Sequence, residues 1–230
     1  MNYLQLCQRM VQKSGIAGSG PTSVTGQTGE LARVVNWISE AWLNIQEERN
    51  DWQWMRRSVS FSTIAQQGSY TPAQCGITDL ARWAMDTNYC TFRSYVTAQT
   101  TRSEIFLSYM PYETFRDTYL YGAMRTSYSR PVAITVAPDK SIVLGLAPND
   151  TSYTITGDYF RTPTSLTANS DTPEMPERFH LLIIYRAMMY YADYEQDAYL
   201  RQTSEAEYNK MLRRMTNEQL PEFTGGPCLA

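Results

Sequence analysis

The chain has 230 residues and a formal net charge of −3, with 43% hydrophobic and 19% charged residues. This composition supplies a buried core and excludes an intrinsically disordered chain. The charge gives no basic footprint for tight nucleic-acid binding, and a mildly acidic surface suits nucleic acid that must pass without sticking. The length allows one domain, or a core with an inserted second unit.

The sequence predicts no secretory signal, no membrane span and no disulfide bonds. The start, MNYLQLCQRMVQKSG, lacks a basic region followed by an apolar core, so we expect no secretory signal. The longest apolar run, near residues 181–192, contains Arg186 and is shorter than the about 20 residues that span a membrane. Free thiols in a reducing cytosol are expected, because no CxxC motif joins the scattered cysteines Cys7, Cys75, Cys90 and Cys228.

Helices are predicted in the first part of the chain. Residues 3–13 have one apolar face, and the glycine-rich stretch SGIAGSGPTSVTGQTG that follows predicts a long loop, either functional or mobile, of a kind that could order only on docking. A second helix is predicted over 28–50, because apolar residues recur every three or four positions from Leu31 to Ile45. Trp37 lies off this stripe, which indicates a second partner for it. Trp52 and Trp54 follow in NDWQWM.

The pattern changes to strands at Arg57. RRSVSFSTI alternates apolar and polar residues, and further strands are predicted at NYCTFRSYV, AITV, SIVLGL and SYTITGDYF. PDKS predicts a hairpin turn between the third and fourth of these five segments. PYETFRDTYLYG predicts one short helix, which Pro111 begins and Gly122 ends. Residues 57–162 are therefore predicted to form a small antiparallel β unit.

Helical patterns return after Pro163. A helix is predicted to begin near Pro176, and its stretch from Phe179 to Tyr194 is apolar nearly all round. Such a helix is buried on several sides, either by its own chain or by neighbouring subunits. A last helix is predicted over 197–217, before the extended tail LPEFTGGPCLA.

The order of helices, strands and helices predicts an α+β fold. Helices from both ends most simply pack into one bundle, with the β unit inserted between them. The predicted parts are residues 1–56 and 163–217 for the bundle, 57–162 for the inserted β domain, and 218–230 for the tail.

His180 is the only histidine. It lies about four residues after Pro176, in the first or second turn of a predicted helix, and no GxSxG motif accompanies it. A packed or capping histidine is therefore the preferred interpretation over a catalytic one. One histidine without a nearby cysteine pair also argues against a zinc site.

Other candidates for chemistry are weaker. GSGP at 18–21 follows a helix and lacks GxxxxGK[ST], which disfavours a phosphate site. Asp79 and Asp86 could act as an acid and base pair, although carboxylates on loops are usually solvated. Arg56 and Arg57 could contact a nucleic-acid backbone, but surface charge or an intersubunit salt bridge is preferred. We expect no catalytic residue, metal or cofactor.

Three stretches of the chain resemble the head-to-tail adaptor (connector) proteins of tailed bacteriophages. They are YLQLCQRMVQKSGIAGSGPTSVTGQTGELARVVNWISEAWLNIQ, RPVAITVAPDKSIVLGLAPNDTSYTITGDYFRTPTSL and DTPEMPERFHLLIIYRAMMYYADYEQD. They span most of the chain in the order found in the family, and residues 65–110 match little.

The resemblance implies a helical bundle with an inserted β unit and no enzymatic activity. It implies a homo-oligomeric ring, of twelve copies, docked under the portal protein, with tail or nozzle proteins below. Genomic DNA would pass through the channel without sequence-specific binding. It also implies a place at the head–tail junction of the virion, after assembly in the bacterial cytoplasm.

Aromatic residues and methionine are enriched at interface cores. The 17 tyrosines and 11 methionines suit either contact surfaces or the core. The candidate interface residues are Trp37, Trp52, Trp54, Arg56, Arg57, Phe223 and Leu229.

Alternatives to the adaptor are another neck or tail structural protein (a head-completion or tail-tube component), a tail-associated hydrolase, and a cytosolic ligand-binding protein.

Overall fold

The computed structural model describes residues 1–49, 51–85, 90–149 and 151–219. The chain divides into two compact units. Unit 1 comprises Met1–Met55 and the chain from Pro163 onward, and unit 2 comprises Arg56–Thr162. Helices in unit 1 and sheets in unit 2 confirm the predicted α+β class.

Unit 1 is built from four helices in the described part of the chain. They are α1 (Tyr3–Ser14), α2 (Gly29–Glu47), α4 (His180–Glu195) and α5 (Ala198–Gln219), and the short helix α3 (Tyr112–Tyr119) belongs to unit 2. Asn2 begins α1 with a capping box, in which its side chain accepts from the Gln5 amide and the Gln5 side chain accepts from the Asn2 amide. Gly15, at φ 78°, ends α1 in the left-handed conformation that glycine adopts without steric cost.

Helix α4 is the centre of unit 1. It packs against α1, α2 and α5. Of the two covers that the sequence allowed for its apolar surface, the same chain or a neighbouring subunit, the structure therefore shows the same chain. The predicted contact between α2 and α4 is confirmed. The α2 side chains that face the core are all buried, as the three-and-four spacing requires: Val34, Val35, Ile38, Ala41, Trp42 and Ile45.

The glycine-rich loop between α1 and α2 is packed onto unit 1 by hydrogen bonds within this chain. Gln8 on α1 donates from Nε2 to the Pro21 carbonyl at 3.0 Å. The Val24 amide donates to Oδ1 of Asn169 at 2.7 Å, which ties the loop to the segment before α4. Gly20 is required by this packing, because its φ is +85° and a Cβ there would lie 3.0 Å from the Gln8 Cα.

A buried amide fixes the point at which the chain returns to unit 1. Gln46 donates from Nε2 to the Thr164 carbonyl at 2.9 Å and accepts the Thr164 amide at 3.1 Å. The Gln46 side chain thus makes both hydrogen bonds to the Thr164 backbone that a residue of a neighbouring strand would make. Buried polar groups need such partners, so the pair holds residues 163–165 against the end of α2.

Unit 2 contains two sheets. One has the strand order β1-β9-β4-β5, with β3 also paired to β9, and the other has the order β2-β8-β7-β6. The strand bounds are β1 Arg56–Ser62, β2 Ser69–Tyr70, β3 Leu80–Trp83, β4 Arg93–Val96, β5 Ile105–Phe106, β6 Ser108–Tyr109, β7 Ala133–Val136, β8 Ile142–Gly145 and β9 Tyr153–Arg161.

In unit 2 the predicted turn is confirmed, and two other details differ from the prediction. The PDKS turn joins β7 and β8 as predicted, with Lys140 at φ 66° and the Ala137 amide bonded to the Ser141 carbonyl. However, β6 pairs with β7 in parallel, so unit 2 is not wholly antiparallel. The helix α3 ends at Tyr119, before Gly122, which begins a separate 3₁₀ turn.

The core of unit 2 includes a close approach between a strand backbone and an aromatic ring. A Cβ at Gly157 on β9 would lie 2.6 Å from the Phe92 ring, and Phe92 is fully buried. Glycine is the residue that leaves room for this contact. Around it pack other buried side chains of the same core: Val59, Phe61, Tyr70, Leu80, Trp83, Ile134, Leu144 and Ile155.

Candidate interface surfaces

An aromatic cluster lies on unit 1 where α2 and the end of α4 meet. The Trp37 ring lies 5.9 Å from the ring of Tyr191 and 5.9 Å from that of Tyr194, measured between centroids. The two tyrosines are three residues apart on α4 and so share one face. The second partner expected for Trp37 is therefore α4 of the same chain, and Trp37 itself is half-buried.

The rim of this cluster is open to solvent. Tyr194 is 53% exposed, and the Arg33 guanidinium lies 4.3 Å from the centre of its ring, a cation–π contact. Trp, Tyr and Arg are the residues that most often anchor protein interfaces. We call Arg33, Trp37, Tyr191 and Tyr194 the aromatic patch.

Trp52 and Trp54, two of the candidate interface residues, are buried within this chain and so have little exposed surface. Their rings stack with centroids 4.5 Å apart, and Trp52 is 0% exposed. Trp52 also donates from Nε1 to the Ile45 carbonyl at 3.0 Å, a bond to the end of α2. A large aromatic side chain near a helix end gains more from burial than from exposure. These two residues stabilise unit 1.

Arg56 and Arg57 lie at the start of β1 and are held within unit 2. The Arg56 Nη2 lies 2.5 Å from Oδ2 of Asp158 on the neighbouring strand β9, and its Nε lies 3.1 Å from the same oxygen. Ser58 donates to the other oxygen of Asp158 at 3.0 Å. Arg57 donates to the Arg56 carbonyl at 3.0 Å. Arg56 thus forms an ion pair inside one subunit, where surface charge or an intersubunit salt bridge was the preferred interpretation.

His180 is packed, in agreement with the preferred interpretation of a packed or capping histidine, and it is the first residue of α4. It is 1% exposed. Its Nε2 lies 3.1 Å from the Met175 carbonyl, which only accepts, so Nε2 carries the proton. Its Nδ1 lies 2.9 Å from the Met1 nitrogen. Burial lowers the pKa of His180, which favours the neutral ring that this geometry requires.

The remaining candidates for chemistry are Asp79, Asp86 and the cysteines. Asp79 accepts a hydrogen bond from the Tyr159 hydroxyl at 3.0 Å, and its proposed partner Asp86 lies outside the described residues. Burial raises the pKa of the Cys7 and Cys75 thiols to about 12, so neither forms a thiolate near neutral pH. Within the described ranges, no His, Cys, Asp or Glu cluster suited to a metal ion is present.

A polar cleft of about 550 Å³ lies on the outer face of the first sheet of unit 2. Its floor is made by hydroxyl side chains from β1 and β9, and Arg93 bonds to Glu104 at 3.1 Å on one side. Phe106 on β5 lies at the edge with 69% of its surface exposed, and the Arg93 guanidinium lies 4.5 Å from its ring. The sequence prediction missed Phe106, because a two-residue strand has no readable alternation.

Phe223 and Leu229, the last two predicted interface residues, lie outside the described residues. No helix among the described residues combines the length and the apolar character of a membrane span.

The family model described as SU10 adaptor protein matches residues 1–226. No curated protein matches the chain.

Proposed function

Because this chain belongs to the SU10 adaptor protein family and is a phage adaptor protein, we propose that it forms a ring between the portal vertex and the tail. The ring extends the channel through which genomic DNA leaves the capsid. Its upper side contacts the portal protein, and its lower side contacts tail or nozzle proteins. The copy number of twelve comes from the family resemblance alone.

The family match over nearly the whole chain carries this proposal. A cyclic ring needs two different surfaces on each subunit, because a head-to-tail contact joins unlike patches. The aromatic patch of unit 1 supplies one surface of suitable chemistry. Its Trp37 is fixed by two tyrosine rings, so little side-chain entropy remains to be lost on docking.

The charge of the chain agrees with DNA passage rather than DNA binding. A net charge of −3 provides no excess of basic side chains over the whole subunit. Retention on phosphates requires many Lys and Arg contacts, each of which releases counterions. Arg56 and Arg93 are each bonded to a carboxylate of their own subunit. We therefore expect no salt-sensitive binding of duplex DNA.

We also infer a structural rather than catalytic role. The chain has one histidine, and both nitrogens of its ring are engaged, by the Met175 carbonyl and the Met1 nitrogen. An imidazole buried in this way has no access to a substrate. Hydrolysis by a histidine-activated nucleophile is therefore disfavoured.

The aromatic patch can be tested by mutation. Trp37→Ala and Tyr194→Ala are expected to weaken ring formation, or portal binding, by at least ten-fold, the size of effect that interface anchors show. Tyr121→Ala, which changes a tyrosine that is 58% exposed on unit 2, is the matched control and should assemble normally. Assembly is read by electron microscopy and by co-sedimentation with isolated portal. Normal assembly of both patch variants would exclude the patch as an interface.

The C-terminal tail is a second proposed contact. We propose that residues 221–230 reach a neighbouring adaptor or the portal, with Phe223 as the anchor and Leu229 as a further apolar contact. Deletion of these residues should leave the melting temperature unchanged and reduce portal binding strongly. Equal portal affinity of the full-length and truncated proteins would contradict docking by the tail.

The position of the ring is tested separately by reconstruction of the virion. Density for this chain between portal and tail, repeated around the channel, is the expected result. Density in the tail tube or elsewhere in the neck would replace the proposal with that of another structural component.

A further inference from the structure

Strand β1 lies at the edge of its sheet. It pairs with β9 on one side over seven consecutive residues, from Arg56 opposite Phe160 to Ser62 opposite Thr154, without a shift of register. The strand contains no proline. Proline, bulges and inward charges are the usual means by which proteins block an open edge. The middle of β1 has none of them.

The direction of the backbone groups of β1 follows from two hydrogen bonds. The Thr63 amide donates to the Tyr153 carbonyl, so Thr63 and Tyr153 form a hydrogen-bonded pair at the end of this ladder. Such pairs alternate in an antiparallel ladder. The Ala84 amide donates to the Asp158 carbonyl from the far side of β9, which agrees with the same alternation.

It follows that every second residue of β1 directs its amide and carbonyl away from β9. These residues are Arg56, whose carbonyl accepts from the Arg57 side chain, and the three serines Ser58, Ser60 and Ser62. The serine side chains are exposed, and among the described residues no hydrogen bond reaches the backbone groups of these three serines. Every second residue from Ser58 to Ser62 thus presents an unpaired backbone amide and carbonyl along this edge, at the spacing of a strand.

We propose that this edge pairs with β1 of a second copy of the chain, antiparallel, with Ser60 opposite Ser60 of the partner. In this register Ser58 lies opposite Ser62, and all three outward-facing serines of each strand face outward-facing serines of the other. Hydrogen bonds can then form along the whole edge, because the three pairs all have the hydrogen-bonded geometry.

The side chains of β1 fit this self-pairing. On the core side of the sheet, Val59 lies opposite Phe61 of the other copy, an aromatic and β-branched pair of the kind that stabilises sheets. Arg57 lies opposite Thr63, and Arg56 lies opposite Ile64. Like charges are therefore kept apart, whereas parallel pairing in register would place the arginines of one copy beside those of the other.

The other edge of the same sheet is a poorer partner. Strand β5 contains two residues, Ile105 and Phe106, and cannot match three outward-facing serines. A two-fold contact between identical strands also differs from the head-to-tail contact that closes a ring. The pairing therefore belongs to the free protein and goes beyond the proposed function: two copies cover each other's open edge before assembly.

The first test uses Ser60→Pro in the full chain. The Ser60 amide faces the open edge, so proline removes no bond to β9 but blocks the edge. Ser60→Ala keeps the amide and is the matched control. In sedimentation velocity, the unmodified chain and Ser60→Ala should form dimers, and Ser60→Pro should be monomeric with an unchanged melting temperature. A monomeric unmodified chain, or a dimer that persists in Ser60→Pro, would overturn the proposal.

The second test reads the register and does not depend on proline being tolerated. Cys90→Ser and Cys228→Ser provide the background. Ser60→Cys should form a disulfide with itself on mild oxidation, because opposite residues lie about 5.5 Å apart between Cα atoms, within the range of a disulfide.

Single Ser58→Cys should not pair with itself, because the two cysteines would be offset by four residues, about 13 Å along the strands. A mixture of Ser58→Cys and Ser62→Cys chains should form the mixed dimer. Crosslinking of Ser58 to Ser58, or none at Ser60 in folded protein, would contradict this pairing.

Discussion

The Tyr208 hydroxyl donates to the Glu48 carboxylate at 2.6 Å and so links α5 to the end of α2. Tyr208 is buried, and burial followed by the bond to Glu48 raises the pKa of its hydroxyl well above the ordinary value. The phenol therefore stays protonated and can donate at any pH at which the protein is handled. Little else on α5 is buried, with Ser204 and Met215 the other two such residues.

Tyr208→Phe removes the donor and keeps the ring. We expect a loss of about 1 kcal/mol in the free energy of unfolding, since Glu48 is exposed and water can replace the lost partner. Urea unfolding checks this value. Tyr199→Phe removes the hydroxyl of a highly exposed tyrosine and should change stability within experimental error. Equal effects of the two substitutions would show that the Glu48 bond contributes nothing.

The pH dependence of stability should carry a contribution from His180. Burial lowers its pKa in the folded state below the unfolded value of about 6.5. The unfolded state therefore binds the proton first, so this contribution is complete above about pH 6.5 and is lost as the pH falls below it. His180→Gln keeps a side-chain donor and cannot titrate. The unmodified chain should lose more stability than His180→Gln between pH 7.5 and pH 5, values chosen to bracket that pKa.

The same variant tests the structural role of His180. The side chain is buried, so some loss of stability is expected at neutral pH. Phage carrying His180→Gln should remain infectious if the variant folds. Loss of infectivity with intact folding and assembly would point to a chemical role.

Ile38→Asp tests the contact between α2 and α4. Ile38 is fully buried, so aspartate there places an unpaired charge in the core, at a cost of several kcal/mol. We expect the variant to be insoluble or unfolded. Asn36→Asp adds the same charge at an exposed position of the same helix and should fold. A soluble, assembled Ile38→Asp protein would contradict the position of α2.

Gly157→Ala tests the close packing in unit 2. The new methyl group would lie within 2.6 Å of the fully buried Phe92 ring, so the core must shift, at a cost of about 1–3 kcal/mol. Gly68→Ala is the matched control, because its nearest neighbour, the Ala147 Cβ, would lie at 3.5 Å, an ordinary contact. Thermal unfolding should separate the two variants clearly.

The sequence was most informative where periodicity is long and local. The stripe from Leu31 to Ile45 predicted α2, which ends at Glu47 rather than at residue 50. The PDKS turn was also predicted, because its chemistry acts within four residues. Strands of two residues, such as β5 and β6, are defined by their partners and have no pattern of their own.

The candidate interface shows the same limit. Trp37, Trp52 and Trp54 have the same side chain, and periodicity separates only Trp37 from the α2 stripe. Their surroundings differ: Trp52 bonds to the Ile45 carbonyl, seven positions away, whereas Trp37 is flanked by the distant residues Tyr191 and Tyr194. Sequence alone cannot provide contacts that the fold brings together over more than 150 positions.

The division of unit 1 into two chain segments also sets an order of synthesis. A ribosome makes α2 long before α4, and all of unit 2 is translated between them. Translation proceeds at about 5–20 residues per second, so α2 is made many seconds before α4. During this time the apolar stripe of α2 cannot pack against α4. Because β1 and β9 pair at Arg56 and Phe160, unit 2 can close on itself before α4 emerges. Bacterial chaperones that cover nascent apolar helices should therefore bind this chain chiefly through α2.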